Sequence, residues 1–177
     1  MNTTQLYIFL AGSLLIILFS WFVSLKEKRY HGIPRFFAFE GLLLLGLMQQ
    51  PVWFNHPWAP WHIVSWILLI ICTYYVIAAI FFYFRYAAPG RNFENSTKLV
   101  TKGIYKYIRH PMYASLLILG WGMFFKAFTP ISIALICLIT ISLYFTSIIE
   151  EKEMTARFGD EYREYMKRTK RWLPFIL

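Results

Sequence analysis

Five apolar stretches, at 6–25, 36–54, 62–84, 111–128 and 131–149, constrain this chain more than any other feature. A bilayer core offers no water to backbone N–H and C=O groups. A stretch of about 20 apolar residues therefore crosses it as a helix whose hydrogen bonds close on themselves. The composition agrees, because 58% of the 177 residues are hydrophobic and 20% aromatic, too apolar for an ordinary soluble domain. The expected fold class is an all-α integral membrane protein with about five transmembrane helices. The fourth and fifth stretches are parted only by a turn at Thr129-Pro130, which predicts an antiparallel hairpin. The first stretch is full length and no charge precedes it, unlike a cleavable signal.

Charge sets the expected orientation. Four cations (Lys26, Lys28, Arg29, Arg35) lie between the first two stretches. Six (Arg85, Arg91, Lys98, Lys102, Lys106, Arg109) lie between the third and fourth, and seven follow the fifth. Lys126 stands alone on the other side, and the loop at 55–61, NHPWAPW, carries no Lys, Arg, Asp or Glu. The positive-inside rule then places the N-terminus outside and the C-terminus in the cytoplasm. The net charge of +9 reads as topology plus attraction to anionic headgroups, not as a nucleic-acid surface. Cys72 and Cys137 fall inside predicted spans without metal-ligand spacing, and no metal is expected.

The chain reads as a single membrane domain, 1–177, with no internal repeat. Residues 1–84 are apolar spans with short loops, a scaffold, and 85–177 hold most ionisable groups. Ala88-Pro-Gly90 signals a turn, and Leu99-Val-Thr-Lys-Gly103 reads as an extended piece entering another. After the fifth span, Met154, Phe158, Tyr162, Tyr165 and Met166 recur at spacings of three and four with charges opposite. That pattern predicts an amphipathic interfacial helix, interrupted at Gly159 and ended by Pro174.

Several charged groups need a reason to be where they are. Glu40 lies within the second span, where a wetted interfacial carboxylate and a substrate contact are both open readings. Glu150 and Glu151 close the fifth span, against the helix dipole. They are either solvated or hold something cationic. Pro111 suits the first position of the fourth helix, since its missing N–H would be unpaired there anyway. The exposed N–H groups of that helix start, with Arg109 and His110 beside them, suit an anion, although a snorkelling Arg and an interfacial His explain the same residues. The hairpin puts this helix start and the Glu pair at one depth on one side. A ligand with a carboxylate and an ammonium or hydroxyls would suit the pair of sites.

These residues also carry a resemblance. Leu99-Val-Thr-Lys-Gly-Ile-Tyr105, Arg109-His-Pro-Met-Tyr113, Glu150-Glu151, Phe158-Gly-Asp-Glu-Tyr162 with Tyr165, and Arg171 with Pro174 follow in that order. Together they resemble the isoprenylcysteine carboxyl methyltransferase and phospholipid methyltransferase group, over under half of the chain. The resemblance implies a membrane methyltransferase that uses S-adenosyl-L-methionine without a Rossmann domain. It implies a cofactor site of Val100, Gly103, Tyr105, His110, Pro111, Tyr113, Glu150 and Glu151. His110 and the helix start would take the methionine carboxylate. Glu150 or Glu151 would take the ammonium or ribose, and Tyr105 and Tyr113 would wall the pocket. Gly120-Trp-Gly122 matches a GxG that phospholipid methyltransferases assign to the cofactor. Ten helical residues separate Gly120 from His110 by about 15 Å, so close helix contact is the preferred reading of these glycines.

Methyl transfer from a sulfonium needs alignment and water exclusion rather than a protein nucleophile. The expected acceptor is lipid-like or prenylated and reaches the site from the bilayer, with a prenylcysteine carboxylate favoured. Arg109 and Arg171 are the candidates to hold such a carboxylate. A phospholipid amine acceptor would instead need a base, which a Glu such as Glu151 could supply. An NADPH-dependent membrane reductase of a sterol-like or isoprenoid substrate is the main rival. A haem protein or transporter is weaker, because His31, His56, His62 and His110 offer no facing pair deep in the bilayer. The oligomeric state is open. The topology is checked by cysteine labelling in intact cells. A cysteine replacing Trp58 is expected to react with an impermeant maleimide from outside, and one replacing Lys106 only after permeabilisation.

Overall fold

A computed structural model describes residues 2–87 and 96–174; the turn expected at 88–90 lies outside the described residues. Among the described residues there are six α-helices: α1 Thr3–Phe19, α2 Gly32–Gln49, α3 Pro60–Tyr86, α4 Pro111–Phe124, α5 Pro130–Phe158 and α6 Asp160–Arg168. A π-helical turn and a 3-10 turn prolong α1 to Glu27. Among the described residues there is no strand; an isolated parallel bridge joins Ile108 and Lys170.

Among the described residues, three helices are long and apolar enough to cross a membrane: Thr3–Glu27, Pro60–Tyr86 and Pro130–Phe158. The five-span expectation therefore meets two helices of a different kind. α2 has the charged residues Arg35 and Glu40 within its 18 residues. α4 has 14 residues, about 21 Å, against a hydrocarbon core of about 30 Å. Both are packed inside the bundle. α4 lies against α3, and α2 lies against α5. The apolar windows of α1 and α3 are 11% buried, and that of α5 is 44% buried. α5 is thus the central helix, and α1 and α3 present apolar side chains outward, as lipid-facing helices do.

Local sequence explains the ends of these elements. Pro60, Pro111 and Pro130 each open a helix, where a missing N–H is harmless. Thr129 and Ser132 form a reciprocal cap at the start of α5, so the α4–α5 turn is short and closed. Gly159 has φ +57° and ends α5, and α6 begins at once. Met154 and Phe158 thus finish α5, while Tyr162 and Tyr165, buried, lie on α6. The apolar face of α6 turns these two tyrosines into the protein: the Tyr165 hydroxyl donates to the Tyr105 carbonyl at 2.7 Å.

The core joins Ala38, Leu42 and Leu45 of α2 with Leu135, Ile139 and Leu143 of α5, and with Tyr113, Ala114 and Met123 of α4. Trp172 reaches it from the C-terminal segment and donates to Ser147 Oγ at 2.9 Å. Gly120 and Gly122 face neighbours at close range. A Cβ on Gly120 would stand 3.1 Å from Ile136, and one on Gly122 would stand 3.1 Å from Leu69. Ser65 Oγ also donates to the Gly122 carbonyl at 2.7 Å. These glycines let α4 approach α3 and α5. Gly122→Val should therefore destabilise the protein by about 1–3 kcal/mol through overpacking. Gly46→Ala, whose Cβ would meet only Met123 Sδ at 3.4 Å, should cost less than about 1 kcal/mol. Thermal unfolding of the two variants in one detergent checks the contrast.

Candidate functional site

The start of α4 is fixed by the C-terminal segment. Arg109 N–H donates to the Lys170 carbonyl at 2.8 Å, and His110 N–H donates to the Arg171 carbonyl at 3.0 Å. Lys170 N–H returns a bond to the Tyr107 carbonyl at 3.0 Å. This ladder places Arg109, His110 and Arg171 around the end of α5, where Glu150 and Glu151 stand.

Glu151 is the hub. Its Oε1 accepts from Arg109 Nε at 2.9 Å and from Arg171 Nε at 3.1 Å, and its Oε2 accepts from Arg171 Nη2 at 2.7 Å. His110 Nε2 lies 3.3 Å from Oε1. Arg109 Nη1 also donates to the carbonyls of Met166 and Thr169. Both arginines therefore face a buried carboxylate, and Arg109 also ties down the end of α6. Arg171 lies nearly bidentate on Glu151, a strong geometry for that pair.

His110 is 6% exposed and sits between the two acids, with Nδ1 3.5 Å from Glu150 Oε2. Its ring stacks on Tyr113 at 5.5 Å. Burial opposes a charge on His110, but the hydrogen bonds its ring donates to the two glutamates outweigh it, and its pKa stands above the ordinary imidazole value. Glu150 Oε2 is buried, and its 3.5 Å separation from His110 Nδ1 is long for a hydrogen bond.

These groups border a cavity of about 290 Å³. Val100, Tyr105, Arg109, His110, Pro111, Tyr113 and Glu150 line it; Gly103, Glu151 and Arg171 do not. Gly103 has φ +62°, and a Cβ there would stand 2.4 Å from the Phe82 ring, so this glycine shapes the turn before Tyr105. Gly120 and Gly122 lie away from the cavity, at the helix contacts already described. Met154 and Phe158 of α5 and Tyr162 and Tyr165 of α6 complete the wall.

Six wall residues come from 1–84, the part of the chain that the sequence presents only as scaffold: Phe19, Arg35, Phe39, Val76, Ile80 and Tyr83. The available signal was Arg35 directly before an apolar run, the same arrangement as Arg109 before α4. Glu40, by contrast, is outside the cavity and accepts from Ser13 Oγ at 2.8 Å.

A family model described as phospholipid methyltransferase matches residues 60–161. The chain belongs to this family. Over 87 residues it is 34% identical to a probable protein-S-isoprenylcysteine O-methyltransferase of Oryza sativa subsp. indica, covering 48% of this chain and 45% of that one. Over 85 residues it is 35% identical to protein-S-isoprenylcysteine O-methyltransferase B of Arabidopsis thaliana, covering 47% and 43%. Over 72 residues it is 29% identical to methanethiol S-methyltransferase 1 of Bradyrhizobium diazoefficiens, covering 41% and 25%. The matches span less than half the length of these relatives. The family match includes the helix start at Arg109-His110-Pro111 and the Glu pair; Arg35 and Arg171 lie outside it.

Removing the hub leaves two guanidiniums facing one another without their anion. Glu151→Ala is expected to destabilise the protein by on the order of 3–5 kcal/mol, measured by unfolding in detergent. A group whose pKa is raised on folding binds its proton more tightly in the folded state, so stability falls as pH rises. The His110 contribution should be complete below about pH 6.5, the unfolded value, and vanish as pH climbs through the raised one. Tm against pH, compared with His110→Asn, isolates that slope.

Proposed function

We propose that this protein transfers a methyl group from S-adenosyl-L-methionine to a lipid-like acceptor at the cytoplasmic face of the membrane, with a prenylcysteine carboxylate favoured. One observation carries the reading. A buried carboxylate oxygen, Glu150 Oε2, lies beside a cavity and faces His110 Nδ1 at 3.5 Å, long for a hydrogen bond. A buried acceptor without a short hydrogen bond is costly, and a cationic ligand lowers that cost. The methyl donor bears an ammonium and a sulfonium, so this residue fits it.

S-adenosyl-L-methionine supplies a methyl group on a sulfonium, which departs as a neutral thioether when an acceptor lone pair takes the methyl carbon. The chain's residues do the rest. Glu150 holds the cationic part of the donor. His110, charged and stacked on Tyr113, keeps Glu150 in place and offers a positive neighbour to the donor's carboxylate. Val100, Tyr105, Pro111 and Tyr113 wall the donor and exclude water. Glu151 has both oxygens engaged by arginines, so its role is to orient Arg109, His110 and Arg171 rather than to accept a proton. A carboxylate acceptor needs no base, which suits that arrangement. Val76, Ile80 and Leu116, about one to three turns into α3 and α4 from the charged end, offer an apolar wall to the acceptor's chain.

Calorimetric titration of the detergent-purified protein with S-adenosylhomocysteine, with NADPH in parallel, tests this reading. Saturable S-adenosylhomocysteine binding is expected, weakened by on the order of tenfold or more in Glu150→Gln. Binding of NADPH alone would overturn it in favour of a reductase.

A further inference from the structure

Leu99 borders a second pocket besides the donor cavity. This pocket measures about 370 Å³, and Phe84, Arg85, Tyr86, Lys98, Thr101 and Lys102 complete its wall. Three of these residues are cations, and no acid lines the pocket among the described residues. Arg85, Lys98 and Lys102 are all exposed, and none of them forms an ion pair among the described residues.

Backbone and ring contacts bring the three cations together. Arg85 stands in the last turn of α3. Lys98 N–H donates to the Ala87 carbonyl at 3.3 Å, which closes the chain back onto that helix end. Lys102 Nζ lies 5.1 Å from the Tyr86 ring centroid, within cation–π range. Tyr86 in turn stacks on Phe82 at 6.2 Å, and Gly103 sits against the same Phe82 ring. A concave wall lined by one sign of charge concentrates its field on whatever enters.

The helix below the pocket adds a second feature. Ile67, Ile70, Tyr74, Ile77, Phe81 and Phe84 of α3 are all exposed. They recur at spacings of three and four, so they form one apolar stripe along the helix. The stripe ends at Phe84, which lines the pocket. A free phosphate would use only the cations. A molecule that joins a phosphate to an acyl chain uses the cations and the stripe together. Basic residues gather at one end of many membrane proteins. What sets these three apart is the pocket and the stripe that leads to it. Lys26 and Lys28, exposed cations at the same end of the bundle, line neither this pocket nor the donor cavity.

We propose that this pocket binds the phosphate of an anionic lipid, whose chain lies along the α3 stripe. The site is separate from methyl transfer and does not rest on that reading. Arg85 offers a planar fork to two phosphate oxygens, and the two lysines act as point charges. Each basic group beside an anionic headgroup is worth about fivefold in affinity.

Calorimetric titration of the detergent-purified protein tests the site. The probes are dioctanoyl-phosphatidylglycerol, dioctanoyl-phosphatidylcholine and inorganic phosphate. S-adenosylhomocysteine titration and thermal unfolding run beside them as controls of the fold. The wild type should bind the phosphatidylglycerol saturably, on the order of tenfold or more tighter than the phosphatidylcholine. That preference should shrink as salt is raised. The double variant Lys98→Gln with Lys102→Gln should lose on the order of tenfold in phosphatidylglycerol affinity, with S-adenosylhomocysteine affinity kept within about twofold. The control variant Lys26→Gln with Lys28→Gln should keep the preference. An equal loss in both double variants reports general surface charge and overturns the proposal. So does a wild type without the preference, or a preference that survives in the Lys98 and Lys102 variant. Inorganic phosphate binding as tightly as phosphatidylglycerol overturns the lipid as the ligand. A wild type that binds no S-adenosylhomocysteine, yet shows a preference that the Lys98 and Lys102 variant loses with its unfolding temperature unchanged, overturns methyl transfer and supports the lipid site.

Discussion

A carboxylate at the end of a membrane helix, removed from water and opposed by the helix dipole, persists only if cations meet it there. Glu151 is met by three groups: Arg109, His110 and Arg171. They come from two segments far apart in sequence, and the same segments pair through the backbone ladder at 107–110 and 170–171. The ionic hub and the ladder therefore reinforce each other. Together they tie the start of α4, the end of α5 and the C-terminal segment into one rigid corner. The cavity depends on that corner, because Tyr105, His110, Pro111, Tyr113, Glu150 and Tyr165 are all positioned by it.

That corner also divides labour between two adjacent acids. Glu151 is saturated by arginines and is away from the cavity wall. Glu150, one residue earlier and on another helix face, lines the cavity with its Oε2 3.5 Å from His110 Nδ1. A helix advances about 100° per residue, so neighbouring glutamates cannot share one role. In the proposed arrangement one acid holds the architecture and the other holds the ligand.

Much of this was legible in the chain. The hairpin of α4 and α5 follows from Pro111, Thr129 and Pro130, and it brings the helix start and the Glu pair together. The apolar spacing of Met154, Phe158, Tyr162 and Tyr165 marks one continuous face, although that face turns toward the cavity rather than only toward an interface. The glycines at 120 and 122 read as close helix contacts, and their neighbours Ile136 and Leu69 stand where such contacts require. The span count was less legible. α2 and α4 are apolar enough to suggest crossing, yet charge in one and length in the other set them apart from the three long helices.

Hydrophobic runs and proline positions determined the helices, their order and the meeting of the α4 start with the end of α5, because these depend on local solvation and backbone chemistry. Tertiary structure alone decided which charges meet. The directions of Arg109 and Arg171 toward Glu151, the exposure of Glu150 to the cavity and the arrival of Arg35 from α2 all depend on side-chain rotation and on contacts between distant segments. Sequence spacing carries no record of them, since a charge beside an apolar run looks the same whether it snorkels to water, pairs with a partner or lines a cavity.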